Sequence, residues 1–201
     1  MSKKENKNLL LNVCNIAIKA GIIINEFFNH RNDIFYKKDK SPVTKADLSS
    51  NSIIIHKLKN DASNLPTFSE ESPIKWESRK KWKKYWLIDP LYGTKEFINQ
   101  NKDFTVNIAL IEKNLPILGV IYAPALSLLY FAEKDVGSYK LMTNKKIFSL
   151  KSSKKLNSNK KKYSDKIKII GSRSHPSKIL DAWLRNNFKN YEMIKRGSSI
   201  K

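Results

Sequence analysis

The run 115–132, LPILGVIYAPALSLLYFA, is eighteen residues without a charge, and it separates two kinds of protein. Its length lies at the lower edge of what a membrane-spanning helix needs. Pro116, Gly119 and Pro124 interrupt it, and β-branched or aromatic residues fill the gaps. Proline inside a helix removes a backbone hydrogen bond and clashes with the turn before it. The run therefore reads as two buried strands joined by a turn at Ala123-Pro124.

The rest of the chain agrees with a soluble α/β protein. Its 201 residues, 40% hydrophobic and 28% charged, suffice for one domain with a substantial core or two small ones. A single cysteine, Cys14, excludes an internal disulfide framework and a cysteine-based zinc site. His30, His56 and His175 share no metal-ligand spacing, so any bound metal must be held by oxygens. No secretory signal is apparent, because Glu5, Asn6, Asn8, Asn12, Asn15 and Lys19 break up the N-terminal apolar stretch. The expected location is cytoplasmic, with the net charge of +21 favouring peripheral attraction to the anionic cytoplasmic face of the inner membrane.

That charge is easily overread. Only five of the thirty-nine basic residues are arginine, and the chain holds twenty asparagines, the signature of AT-rich coding on permissive surface. No nucleic-acid-binding motif or aromatic–basic interleaving accompanies it, so no specific nucleic-acid partner is expected.

Periodicity predicts an amphipathic helix over 4–29 and a second helix beginning near Asp47, where Asp47 reads as an N-terminal cap. Between them, 33–45 is a polar segment held extended before Pro42. Strands are expected over 65–68, 85–88, 105–112, 118–133 (as a hairpin), 139–142, 166–170 and 191–195. A basic loop spans 75–84, a helical turn 95–99 and a further helix 177–188. The stretch KSSKKLNSNKKK at 151–162 reads as a linker that cannot pack a core. It divides a subdomain over 1–150 from a smaller one over 163–201. The order of elements predicts a layered α/β (α+β) fold with mixed sheets.

Acidic residues stand at element ends: Asp47, Glu70 with Glu71, and Asp89. Carboxylates so placed suit magnesium, which takes oxygen ligands in near-octahedral array. After Asp89, Pro90 fixes the chain direction, Gly93 permits a tight turn, the Leu91 carbonyl offers another oxygen and Thr94 opens the next helix. Taken alone, the same string is equally a Pro-Gly turn capped by threonine. His175 alone reads as a turn residue and Arg173 as a surface charge.

Ser41-Pro42-Val43-Thr44-Lys45-Ala46-Asp47, Phe68-Ser69-Glu70-Glu71-Ser72 and Trp86-Leu87-Ile88-Asp89-Pro90-Leu91-Tyr92-Gly93-Thr94-Lys95-Glu96-Phe97 together resemble the inositol monophosphatase superfamily. The Gly-Thr-Lys-Glu-Phe string and the later Gly-Ser-Arg-Ser-His-Pro and Gly-Ser-Ser-Ile-Lys strings resemble its bacterial 3'(2'),5'-bisphosphate nucleotidase branch. The resemblance implies a layered αβαβα sugar-phosphatase-like fold and a monomer acting on a small phosphorylated nucleotide. It implies Mg2+-dependent hydrolysis of adenosine 3',5'-bisphosphate to AMP and phosphate, a reaction tied to sulfate assimilation. Glu70, Asp89 and the Leu91 carbonyl would ligate metal, and Asp47 with Thr94 would activate the attacking water. Glu70, Leu91, Tyr92, Gly93, Thr94, Ser172, Arg173, Ser174, His175, Gly197 and Ser198 would face the substrate.

Two departures accompany the resemblance. Where the family has a metal-bridging aspartate, this chain has Tyr92. The family also continues past the Gly-Ser-Ser-Ile-Lys string into a tryptophan–aspartate motif. The expectation is an incomplete second subdomain and strongly impaired or absent turnover, with non-catalytic binding of nucleotides or polyanions as the alternative.

Overall fold

A computed structural model describes residues 3–30, 34–143, 152–157, 167–173 and 177–200. The first helix, α1 (Lys3–Phe28), places Leu10, Val13, Ile16, Ala17, Ala20 and Ile24 in the core, each no more than 2% exposed. Asn8–Phe28 is the one helix among the described residues long and apolar enough to cross a membrane. Its apolar side is nevertheless the main cover of a sheet.

The segment 33–45, expected to be polar with an extended residue before Pro42, contains a small hairpin. β1 (Ile34–Tyr36) pairs antiparallel with β2 (Pro42–Thr44), and the turn is closed by Lys37 amide to Ser41 carbonyl at 2.9 Å. Asp39 holds that turn by accepting from the Ser41 amide and hydroxyl. Helix α2 (Lys45–Lys57) follows at once, with Thr44 as its N-cap. Asp47 is thus not the cap. Lys45 and Ala46 are already helical, and Asp47 sits one turn in, reaching back to the cap residue.

A seven-stranded sheet forms the body, in the order β3 (Thr67–Ser69), β4 (Lys84–Tyr92), β5 (Thr105–Glu112), β6 (Leu115–Ala123), β7 (Leu128–Glu133), β8 (Gly137–Met142), β9 (Lys154–Leu156). Only β3–β4 is parallel; the remaining pairs are antiparallel. The uncharged run supplies β6 and β7 as expected. The basic loop holds one short helix, α3 (Trp76–Arg79). The lysine-rich stretch expected to be pure linker contributes β9, whose three residues are all exposed. Edge pairing uses backbone groups alone, so a stretch without core residues can still form it, and lysines suit an edge.

Beneath the sheet, α1 and α2 cover Trp86, Ile88, Ile108, Leu110, Val120, Leu129 and Phe131, all buried. After the short α4 (Thr94–Ile98), a Phe28–Phe97–Phe104 ring cluster closes this layer, with centroids 4.8–5.5 Å apart. The chain then forms a β–α–β unit: β10 (Ile167–Ser172), α5 (Lys178–Asn187) and β11 (Tyr191–Arg196), the strands pairing in parallel. This is a mixed α/β fold with more than one sheet.

Candidate active site

β4 does not stop at Asp89 as the sequence suggests. It runs to Tyr92, with its register against β5 shifting between Asp89 and Tyr92. Such a bulge re-aims side chains. Gly93 then takes a left-handed φ of +98°, which turns the chain into α4 and presents Thr94. A cavity of about 360 Å³ opens there, lined by Ser41, Pro42, Glu70, Asp89, Leu91, Tyr92, Gly93, Thr94, Lys95, Glu96, Ser172, Gly197 and Ser198.

Asp47 and Thr94, 47 positions apart in sequence, meet beside that cavity. Thr94 Oγ1 donates to Asp47 Oδ1 at 3.0 Å and approaches the Leu91 carbonyl at 3.3 Å. The other carboxylate oxygen, Asp47 Oδ2, accepts from the Thr44 amide at 2.7 Å and the Thr44 hydroxyl at 2.6 Å. Both oxygens are thereby oriented, while burial raises the Asp47 pKa against the pull of these hydrogen bonds. Ser50 Oγ donates to the Pro90 carbonyl at 2.7 Å, tying α2 to the bulged turn.

Asp89 is less well served. Its Oδ1 is buried and has no hydrogen-bond partner. Burial first, then the nearby charge of Glu70, push its pKa up to about 7, with Asp47 and Glu71 adding to the rise and a Leu91 backbone hydrogen bond opposing it. An unpaired carboxylate oxygen among other carboxylates is a demand for positive charge. Glu70 and the Leu91 carbonyl line the same cavity, giving an all-oxygen donor set that fits a hard cation such as Mg2+, which binds through one or two carboxylates and keeps several waters. Among the described residues no three Asp, Glu, His or Cys side chains form a ready-made cage.

Lys37, at the tip of the β1–β2 hairpin, was not apparent from sequence. Its Nζ lies 2.9 Å from Glu70 Oε1 and 2.8 Å from Glu71 Oε1. Burial pulls the Lys37 pKa down, but the hydrogen bonds to the two glutamates prevail and raise it. Burial likewise raises Glu71, with Lys37 opposing. Nothing in the local sequence marks Lys37 among thirty-nine basic residues.

Of the remaining expected site residues, Ser172, Gly197 and Ser198 join the cavity wall. Ser198 Oγ meets Thr105 Oγ1 at 2.9 Å, and a Cβ at Gly197 would fall 2.9 Å from that of Asp103. Arg173 is not among the lining residues and stands against two acidic side chains, 2.6 Å from Asp103 and 3.9 Å from Glu96, the latter itself part of the cavity wall. Asp103, also unforeseen, accepts from the Gly197 amide at 3.0 Å and lies 3.6 Å from Arg196. Ser174 and His175 lie outside the described residues. Tyr92 lines the cavity with 41% of its surface exposed.

A family model described as the inositol monophosphatase family matches residues 5–199. The chain belongs to the inositol monophosphatase family. Within this family, it is 38% identical over 199 residues to the 3'(2'),5'-bisphosphate nucleotidase CysQ of Buchnera aphidicola, a match covering 97% of this chain and 70% of that protein. CysQ of Salmonella typhimurium is 47% identical over 126 residues, covering 62% of this chain and 51% of the relative. The chain thus spans about half the length of that curated relative. Among solved structures, CysQ from Bacteroides thetaiotaomicron superposes with a TM-score of 0.82 at 32% identity, covering 96% of this chain and 73% of the other.

Proposed function

We propose that this chain is a cation-assisted phosphomonoesterase of the 3'(2'),5'-bisphosphate nucleotidase type, removing the 3'-phosphate of adenosine 3',5'-bisphosphate with strongly impaired turnover. The observation that carries the reading is the buried, unpartnered Asp89 oxygen in the cavity that Thr94, hydrogen-bonded to Asp47, also lines. Asp47 orients Thr94 and, with its raised pKa, is suited to take a proton relayed from water through the Thr94 hydroxyl. The bulged backbone over 91–94, turned by Gly93, cradles the phosphate. Ser172, Gly197 and Ser198 bound the far side of the bound nucleotide. Held by Glu70, Asp89 and the Leu91 carbonyl, Mg2+ would supply Lewis-acid polarisation of the phosphoryl oxygens.

Tyr92 supports the impairment. It offers a phenol at the cavity where the family resemblance puts a further carboxylate, and losing one well-placed electrostatic group typically costs about 10²–10³ in rate. The same reading makes the protein a cytoplasmic monomer, drawn only peripherally to anionic membrane.

The test pairs calorimetry of adenosine 3',5'-bisphosphate binding, with and without Mg2+, with phosphate release by the natural chain, Asp89→Asn and Tyr92→Asp. Expected are Mg2+-dependent nucleotide binding lost in Asp89→Asn, and phosphate release by the natural chain close to background. Nucleotide binding indifferent to both Mg2+ and Asp89 would establish a non-catalytic polyanion binder instead. Robust Mg2+-dependent turnover by the natural chain would overturn the impairment while keeping the site.

A further inference from the structure

The basic loop over 75–84 takes no part in the site described above. Six of its ten residues are basic and Glu77 is its one acid, against thirty-nine basic residues among 201 in the chain. The loop is folded rather than slack. Arg79 Nε donates to the Ile74 carbonyl at 3.2 Å, and its guanidinium lies 4.4 Å from the Phe68 ring centre and 5.1 Å from that of Trp76. Trp82 and Tyr85, both half-buried with ring centres 5.9 Å apart, brace the return into β4. These contacts half-bury Phe68, Trp82 and Tyr85 but leave Trp76 59% exposed.

The turn between β5 and β6 lies against this loop. The Lys113 amide donates to the Lys83 carbonyl at 2.8 Å, and Lys84 Nζ lies 3.0 Å from Glu112. That pairing engages the acid beside the turn, while Lys113 stays exposed and Leu115 is 63% exposed. Loop and turn together carry exposed lysines at 75, 80, 81, 83 and 113, with two exposed apolar side chains, Trp76 and Leu115.

Apolar side chains standing among lysines suit the surface of a bilayer. Tryptophan settles at headgroup level, aliphatic chains dip towards the acyl boundary and lysines meet anionic phosphates. A nucleic acid fits less well. Arg79, the loop's one arginine, is already engaged with Phe68 and Trp76, and Leu115 offers no ring on which a base could stack.

We propose that the 75–84 loop and the 113–115 segment form a docking surface for an anionic lipid bilayer. Trp76 and Leu115 enter the headgroup layer, and the lysines around them face lipid phosphates. The surface gives a place to the peripheral attraction proposed above; it rests on that part of the reading and not on catalysis. Neither segment lines the cavity. β4 carries the loop at its amino end and Asp89 five residues on, about 17 Å away at the rise of a strand, so docking does not occupy the cavity.

The test sediments the 201-residue chain with phosphatidylcholine vesicles, with and without about one-third phosphatidylglycerol, at about 0.15 M salt. Expected is binding to the anionic vesicles alone, lowered at least about tenfold in Lys80→Gln/Lys81→Gln. The control Lys19→Gln/Lys59→Gln removes the same charge at exposed positions outside both segments, and its binding should fall less than about threefold. Anionic vesicles with brominated acyl chains should quench tryptophan emission in the natural chain and in Trp183→Ala, but at most weakly in Trp76→Ala. All of these positions are exposed, so each variant should keep its circular dichroism and thermal midpoint. No preference for anionic vesicles would overturn the proposal together with the membrane attraction it rests on. Equal losses in the two lysine pairs, or quenching that survives Trp76→Ala, would overturn the docking surface alone. A single-stranded oligonucleotide that displaces the vesicles and itself loses affinity in Trp76→Ala would assign the loop to nucleic acid and overturn it equally. Phosphate release is not among the readouts, so failure of the proposed hydrolysis would leave this outcome readable.

Discussion

At Asp89 the fold holds a carboxylate where its charge is poorly compensated. The folded pKa of about 7 lies above the ordinary aspartate value of 3.8. Below about pH 4 the group is protonated in both folded and unfolded chains. Between about 4 and 7 only the folded chain keeps the proton, so stability falls as pH rises through that window and levels off above it. The limiting slope for one such group is about 1.4 kcal/mol per pH unit. Asp89→Asn should therefore flatten the pH dependence and be more stable than the natural chain at pH 8 without metal. Urea unfolding at pH 5 and pH 8 checks this, and an unchanged slope would contradict it. Asp47 and Glu71, shifted the same way, should leave a residual slope. At Gly93, alanine would carry a left-handed φ and place its Cβ 3.2 Å from that of Ser198, so Gly93→Ala should cost about 1–3 kcal/mol in the same assay. Gly93 was legible in the sequence because proline and glycine dictate backbone directly. Asp47 with Thr94 was legible only through family resemblance. Lys37 and Asp103 were not legible, since a single charge acquires meaning from partners 33 to 94 positions away.

Among the elements, α1 shows how a weak helix former can be the right residue. Gly21 is buried in the helix where a Cβ would press into the Tyr122 ring of β6 and lie 2.9 Å from Pro124 Cβ. Alanine gains roughly 1 kcal/mol of helix propensity, but overpacking costs about 1–3 kcal/mol. Gly21→Ala should lower the thermal midpoint, whereas the propensity scale alone predicts a rise. At α5, Ser177 Oγ accepts from the Leu180 amide at 3.2 Å, so Ser177→Ala should cost about 1 kcal/mol if the helix unfolds with the rest. Strands and helices were readable where side-chain period and burial agree, as in β5, where Val106, Ile108 and Leu110 alternate inward. They were missed where backbone pairing alone decides, as in the β1–β2 hairpin and β9.

At the scale of the whole molecule, the motif order foretold the fold class, because the motifs sit at the ends of successive elements, those at 68–72 and 86–97 on neighbouring strands of the large sheet and the others on elements outside it. The charge foretold little, being spread over lysines on many elements. Duplex DNA should accordingly bind weakly, with affinity collapsing between about 50 and 200 mM salt. Filter binding across that range tests it, and sequence-selective retention at the upper end would contradict it. The sheet from β4 to β8 is assembled from neighbours in sequence, each strand returning beside the last. The attachment of the β–α–β unit is of another kind: Thr105 to Ser198, Asn107 to Ser199 and Asp103 to Gly197 join residues 92 to 94 positions apart. Contacts across so long a loop form late and are not regained quickly once lost. The Asp103 clamp thus gives the molecule a chronology, in which the meander folds first and the unit beyond it arrives last and leaves first. Native-state amide exchange should show the amides of β10 and β11 opening at lower free energy than those of β5 and β6.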